Sequence, residues 1–152
     1  MPIADCGFSD AQTLTAQDAL TFYGPTILVD IGLDEAFDYR TVGQAPSSQV
    51  RSVLALIDTG AVESCIDDAL AREIGLPVID RQSVAGAGGA IELNVYLGHI
   101  HIPTVNFTVW GRFTGVLLQA GGQQHQALIG RTMLQNALLV YDGRSGAARL
   151  AT

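Results

Sequence analysis

A chain of 152 residues that is 48% apolar and only 15% charged has enough apolar area to fold as one domain, which excludes intrinsic disorder and two large domains. Fifteen acidic against eight basic residues give a formal net charge of -7, a soluble surface that repels phosphate backbones and argues against nucleic acid as a partner. No leader-like N-terminus and no run near the ~20 apolar residues of a membrane span is visible, and Cys6 and Cys65 are too few for a zinc cluster or disulfide framework. The expectation is a cytoplasmic protein with free thiols and no membrane partner.

Residues 1–22 read as an N-terminal arm, with Thr15 as the cap of a short helix around Leu14 to Leu20. The main domain is placed at residues 23–152. Its first strand is expected over Thr26 to Leu33, where Ile27, Val29, Ile31 and Leu33 share one face at period two. Residues 34–49 are polar, end in QAPSSQ and read as a surface loop.

Val50 to Ile57 then becomes increasingly apolar and stops at Asp58-Thr59-Gly60, the pattern of a strand that enters the interior before a tight turn. A short helix follows over Asp67 to Ile74. Asp67 supplies the N-cap, Asp68 sits in the first turn, Gly75 lies just past the end and Pro77 beyond it. Ala69, Leu70 and Ile74 are expected to face inward, with Arg72 and Glu73 toward water.

From residue 78 onward, apolar stretches at Ile91 to Leu97, Ile100 to Ile102, Val105 to Trp110, Val116 to Leu118, Leu138 to Tyr141 and Ala147 to Leu150 alternate with glycines and polar residues. That spacing suits an all-β barrel or sandwich, with Asp142 to Gly146 as the turn between the last two strands.

The chemistry centres on Ala55-Leu56-Ile57-Asp58-Thr59-Gly60-Ala61, an apolar strand ending in an acid, a hydroxyl residue and a glycine. Two such carboxylates brought together share a proton, so one acts as base while the other acts as acid. A pair of this kind activates water against a peptide carbonyl with neither metal nor cofactor.

Leu56 to Ala61 resembles the active-site signature of aspartic peptidases, and Ala127-Leu128-Ile129-Gly130-Arg131 resembles the hydrophobic-hydrophobic-glycine element of the retropepsin-like family. Their order and separation are similar to those of the single-domain, retroviral-type members, including bacterial and cellular ones, over roughly residues 23–150. The resemblance implies a closed, all-β acid-protease barrel with one or two short helices. It also implies an aspartic endopeptidase that hydrolyses peptide bonds in peptide or protein substrates and works as a homodimer, with Asp58 of each copy forming the catalytic pair.

Thr59 is implied to hydrogen-bond across the twofold axis, Gly60 and Ala61 to shape the loop, and Ile129, Gly130 and Arg131 to support it from behind, with a short helix starting at Arg131. The glycine-rich run Ser83 to Ala90, with Ala85, Gly86, Ala87, Gly88 and Gly89 at its centre, is implied to be the flap that closes over substrate.

No second Asp-Thr-Gly occurs. Asp30-Ile31-Gly32 lacks the hydroxyl residue and Asp142-Gly143 sits in a turn, so the second acid is expected from another copy of the chain. Val62 stands where viral members carry an acid, and Glu63 comes one residue later, which leaves the partner of Arg131 open between Glu63 and solvent. That departure also leaves open a non-catalytic peptide-binding or scaffold domain of the same fold. An unrelated β-barrel interaction module would leave Asp58 exposed and unpaired. His99, His101 and His125 read as surface residues rather than metal ligands, and Ser64-Cys65 lacks an adjacent base.

Overall fold

A computed structural model describes residues 1–152. The strand expected after the arm is Thr26–Gly32 (β2), and the strand leading into Asp58 is Val50–Ile57 (β3). Between them the polar loop contains no regular element, as its composition requires. Cys65–Asp67 (β4) runs directly into the helix Asp68–Glu73 (α2). The long hairpin Val78–Gly86 (β5) and Gly89–Ile102 (β6) follows, then Phe107–Val116 (β7) and Ala127–Ile129 (β8).

Six of these strands close a ring. β2 pairs with β3, β3 with β8, β8 with β4, β4 with β7, β7 with β6, and β6 returns to β2. The β3–β8 and β4–β7 pairings are parallel and the rest antiparallel. Closure removes the unpaired edges that an open sheet would present, leaving β5 as an arm projecting from β6. The barrel is filled by Ile27, Val29, Ile31, Ala55, Ile57, Ile66, Tyr96, Ile100, Phe113, Ala127 and Ile129, all buried.

A second sheet packs outside the barrel. It is built from Ile3–Asp5 (β1), Leu138–Asp142 (β9) and Ala147–Ala151 (β10), in the order β1-β10-β9 and antiparallel throughout. The hairpin turn between β9 and β10 is where the sequence places it, with the Asp142 carboxylate accepting from Arg144 N–H and Ser145 Oγ–H. The arm therefore contributes a strand that its three residues gave no pattern to reveal. Its helix is Ala16–Tyr23 (α1), capped by the Thr15 hydroxyl, which accepts from Asp18 N–H. One further helix, Arg131–Leu134 (α3), joins β8 to β9.

Three expectations need correction. Ile91 to Leu97 and Ile100 to Ile102 form one strand that runs through Gly98, where a Cβ would lie 3.0 Å from Gly32 O and 3.2 Å from Leu76. That glycine marks the tight closure of the barrel rather than a break. In α2 the inward residues are Asp68, Leu70 and Ala71, and Ala69 is exposed. Asp68 is buried because Tyr96 Oη–H donates to its Oδ1 at 2.7 Å and Arg72 pairs with its other oxygen. All three histidines are buried rather than on the surface.

Each histidine meets at least one hydroxyl, and the buried Nδ1 of His125 has no partner. His99 lies between Tyr39 Oη at 2.7 Å and Ser48 Oγ at 2.8 Å, His101 meets Thr108 Oγ1, and His125 meets Thr26 Oγ1. The His99 bonds tie the 34–49 loop to the barrel, and Trp110 stacks on Tyr39 over the same contact. Burial pushes His99 from 6.5 to about 4, with nearby His101 adding to the fall and Asp34 and Asp30 opposing it. Burial likewise lowers His101 and His125.

The unfolded chain thus binds protons between about pH 6.5 and about pH 4 that the folded chain does not. This contribution to stability is complete above pH 6.5 and is lost as pH falls through about 4. Asp80, bonded by Arg112, and Asp142, bonded by Ser145, are held below 3.8 and act outside that window. The urea midpoint is expected to fall between about pH 7 and about pH 4.5, and to fall less in His99→Gln. A midpoint flat over that range in the unmodified protein would refute the assignment.

Asp67 is the polar pin between the barrel and the segment after β7. It is 1% exposed, and its carboxylate accepts from Leu118 N–H, Gln119 N–H and, as helix cap, Leu70 N–H. Asp67→Ala strands these donors and is expected to cost about 3 kcal/mol of unfolding free energy, measured by denaturant titration at neutral pH.

Candidate active site

Asp58 lies immediately beyond β3, where the apolar lead-in Ala55-Leu56-Ile57 ends. The parallel partner β8 sets its position, with Ala55, Leu56 and Ile57 in register with Ala127, Leu128 and Ile129. Ile129 C=O accepts from Asp58 N–H at 2.9 Å, and Pro25 C=O accepts from Ile57 N–H at 2.9 Å. Two separate segments therefore hold the backbone that carries the acid.

The turn beyond is tight because it bonds to itself. Gly60 N–H donates to Asp58 Oδ1 at 2.8 Å, and Ala61 N–H donates to Asp58 C=O at 3.2 Å. A Cβ on Gly60 would lie 3.0 Å from Asp58 Oδ1. Asp58 is half-buried while Thr59 and Gly60 are exposed, and Asp58 Oδ2 has no partner within the chain. The loop thus presents one carboxylate oxygen and the Thr59 hydroxyl outward.

Behind the loop, Gly130 passes so close to the chain that a Cβ there would sit 2.5 Å from Glu63 C and O and 2.8 Å from Val62 O. Only glycine fits that crossing. Gly130 N–H donates to the buried Ser64 hydroxyl at 3.0 Å, which gives Ser64 a structural role that its reading as a nucleophile without a base did not anticipate. Arg131 N–H and Thr132 N–H donate to Ala61 C=O and Val62 C=O, both at 2.9 Å, so α3 begins as a clamp on the same loop.

The partner of Arg131 is a backbone carbonyl. Its Nη1 donates to Thr59 O at 2.7 Å, while Glu63 instead accepts from the Thr132 hydroxyl at 3.3 Å. Glu63 and solvent were the alternatives legible in the sequence. A backbone acceptor leaves no side-chain signal to read. Cys65 lies partly buried next to this cluster, where burial and then the charges of Glu63 and Asp58 push its thiol upward, away from nucleophilic thiolate.

The glycine-rich run forms a two-stranded hairpin, with Gly86 paired to Gly89, Ala85 to Ala90 and Val84 to Ile91 around the Ala87-Gly88 turn. Gly89 has φ +110°, which admits glycine readily and other residues at a cost. All nine residues of β5 are exposed, so the hairpin stands away from the barrel.

The other acids considered in the sequence do other work. Asp30 Oδ1 accepts from Ser52 N–H where Ser52 turns at φ 58° beside a bulge in β2, and Asp142 caps its hairpin turn. No group of three or more His, Cys, Asp or Glu side chains is arranged to hold a metal ion.

Comparison with known proteins matches residues 48–136 to the family model described as gag-polyprotein putative aspartyl protease. The matched span contains both the Asp58 loop and the Gly130 crossing. Among solved structures, the EIAV protease in complex with an inhibitor aligns at 18% identity and a TM-score of 0.46, covering 74% of this chain and 86% of that one. The protease of Simian Foamy Virus (mac) aligns at 14% identity and a TM-score of 0.46, covering 72% of this chain and 91% of that one. No curated protein matches by sequence.

The crossing is the most sensitive point of the site. Gly130→Ala drives a methyl group into backbone that two hydrogen bonds already fix, and is expected to lower stability by about 2 kcal/mol or more. Thermal unfolding of the variant beside the unmodified chain tests this, and an unchanged midpoint would contradict the packing described.

Proposed function

The chain belongs to the gag-polyprotein putative aspartyl protease family, and on that premise we propose that it is an aspartic endopeptidase whose active site is completed by a second copy, Asp58 facing Asp58 across a twofold axis. The observation that carries this reading is the outward carboxylate of Asp58 on a loop clamped by β8 and α3, with no second acid of the chain beside it.

With two copies face to face, the paired carboxyls share one proton, because two full negative charges at contact distance are disfavoured. The ionised member removes a proton from water as the oxygen attacks the scissile carbonyl carbon, and the neutral member protonates the carbonyl oxygen. Collapse of the tetrahedral intermediate breaks the C–N bond. The amine nitrogen takes its proton from the carboxyl that received one from water, the other carboxylate takes back a proton from a hydroxyl of the diol, and the pair is regenerated.

Thr59, exposed in the single chain, supplies a hydroxyl to the facing loop. The Gly86–Gly89 hairpin closes over an extended peptide, whose backbone pairs with it as an added strand would. Leu56 shares the face of Asp58 at period two and is half-buried, so it favours apolar side chains beside the cleaved bond.

A second reading, a peptide-binding domain of the same fold without hydrolysis, rests on one observation. Val62 is 56% exposed at the position where viral members carry an acid, so the loop lacks that charge. A mixed peptide library incubated from acidic to neutral pH separates the two readings. Cleavage is expected for the unmodified chain and is expected to drop about 10³-fold or more in Asp58→Asn. Binding without cleavage at every pH would leave the peptide-binding reading standing.

A further inference from the structure

β7 pairs with β6 along its whole length, but on its other side it has a partner only at Thr114, Gly115 and Val116, where β4 lies parallel to it. Upstream, from Phe107 to Phe113, no strand of the chain bonds to that side. β4 would cover this edge if it began earlier. It does not, because the Ser64 hydroxyl is bonded by Gly130 N–H and Glu63 by the Thr132 hydroxyl, which hold the preceding residues toward α3.

The line that β4 leaves is a slot. Two adjoining cavities lie along it, one of about 440 Å³ beside Gly111, Arg112 and Phe113 and one of about 210 Å³ beside Phe107 and Thr108. They share Val109, Trp110 and Thr132, and the wall facing β7 is made by Glu63 and Ser64 at one end and by α3 at the other. A Cβ on Gly111 would meet nothing within 4 Å, so the middle of the edge is open.

An unpaired strand edge offers N–H and C=O groups at alternate residues, which only an extended backbone matches. Phe107 to Phe113, at ~3.3 Å per residue, give such a chain ~20 Å of ladder. The wall opposite β7 admits a single strand and obstructs the edge of a second folded sheet. Charge narrows the choice further. Glu63 is exposed and forms no ion pair, Arg112 is taken up by Asp80, and the chain as a whole carries a net charge of -7. Trp110, 53% exposed, supplies an apolar surface beside them.

We infer that this slot is a docking site for an extended, lysine- or arginine-bearing segment of another protein. The segment adds to the barrel sheet along β7, with its cation against Glu63 and an apolar side chain on Trp110. The inference goes beyond the hydrolytic reading, because the slot uses neither Asp58 nor the Gly86–Gly89 hairpin, and a protein that cleaved nothing would keep it.

The test is titration of the isotopically labelled full chain with the peptide acetyl-Lys-Val-Thr-Val-Thr-Val-Lys-amide, read residue by residue from its amide resonances. Two controls are the same peptide with Glu in place of Lys and one N-methylated at alternate residues. Saturable binding below about 1 mM is expected, with shifts centred on Phe107 to Phe113, Glu63 and Thr132. Both control peptides are expected to bind about 10-fold more weakly or worse, as are Glu63→Lys and Trp110→Ala, which alter exposed side chains.

No saturable binding, equal binding of the N-methylated peptide, or indifference to Glu63→Lys would each overturn the docking site. Shifts confined to the Asp58 loop and the Gly86–Gly89 hairpin would overturn it too, while supporting peptide binding at the proposed active site. Peptide that displaces self-association of the chain would make a second copy the occupant, and the inference would fall. Binding in the slot by a protein that cleaves no peptide would leave the docking site standing and remove the hydrolytic reading.

Discussion

The parallel insertion of β8 beside β3 is the constraint on which the rest of the structure depends. Ile129 C=O receives the Asp58 N–H, while the next residue, Gly130, crosses beneath Val62 and Glu63 with no room for a side chain. One short strand thus completes the barrel ring, orients the acid and launches α3. A hairpin brings neighbouring segments together cheaply, whereas this pairing joins residues some seventy positions apart, and the chain must close a large loop before it gains anything. The apolar character of Ile57, Ala127 and Ile129, all buried, offsets that entropy.

Around that crossing, polar groups are spent on position rather than on charge. Ser64 holds Gly130, Asp67 holds the Leu118-Gln119 backbone, and Arg131 holds the Thr59 carbonyl. Buried donors and acceptors without partners are costly, so each of these side chains both satisfies a backbone group and removes alternatives to the observed loop path. The outcome is a firm floor with a half-buried acid on it, set beside a hairpin whose β5 strand is tied to β7 by exposed bonds from Asp80 to Arg112 and from Gln82 to Thr114. His99 follows the same rule, its buried ring bonded to the Tyr39 and Ser48 hydroxyls and so fastening the 34–49 loop.

Elements with strong local signals were legible before any fold was seen. β3 begins and ends where its apolar gradient does, α1 starts at the Thr15 cap, α2 at the Asp67 cap, and the Asp142–Gly146 turn joins the strands on either side. Where the reading departed, a nonlocal contact had overridden the local pattern. Gly98 continues a strand because the barrel must close tightly there, Asp68 faces inward because Tyr96 receives it, and His99 is buried because Tyr39 and Ser48 arrive from a distant loop.

By itself, the sequence determined a β-rich chain, an Asp-Thr-Gly turn at the end of an apolar strand, a glycine that later proves to be a crossing, and the absence of a second such acid. These are properties of residue type and spacing, and they survive any arrangement of the rest. Only the tertiary structure decided that β1 caps β10, that Arg131 bonds a backbone carbonyl and that β9 is left with an open apolar edge. Those facts depend on which distant segments meet. Backbone acceptors are the same at every residue, and an edge strand is spelled much like an interior one, so no local pattern encodes either.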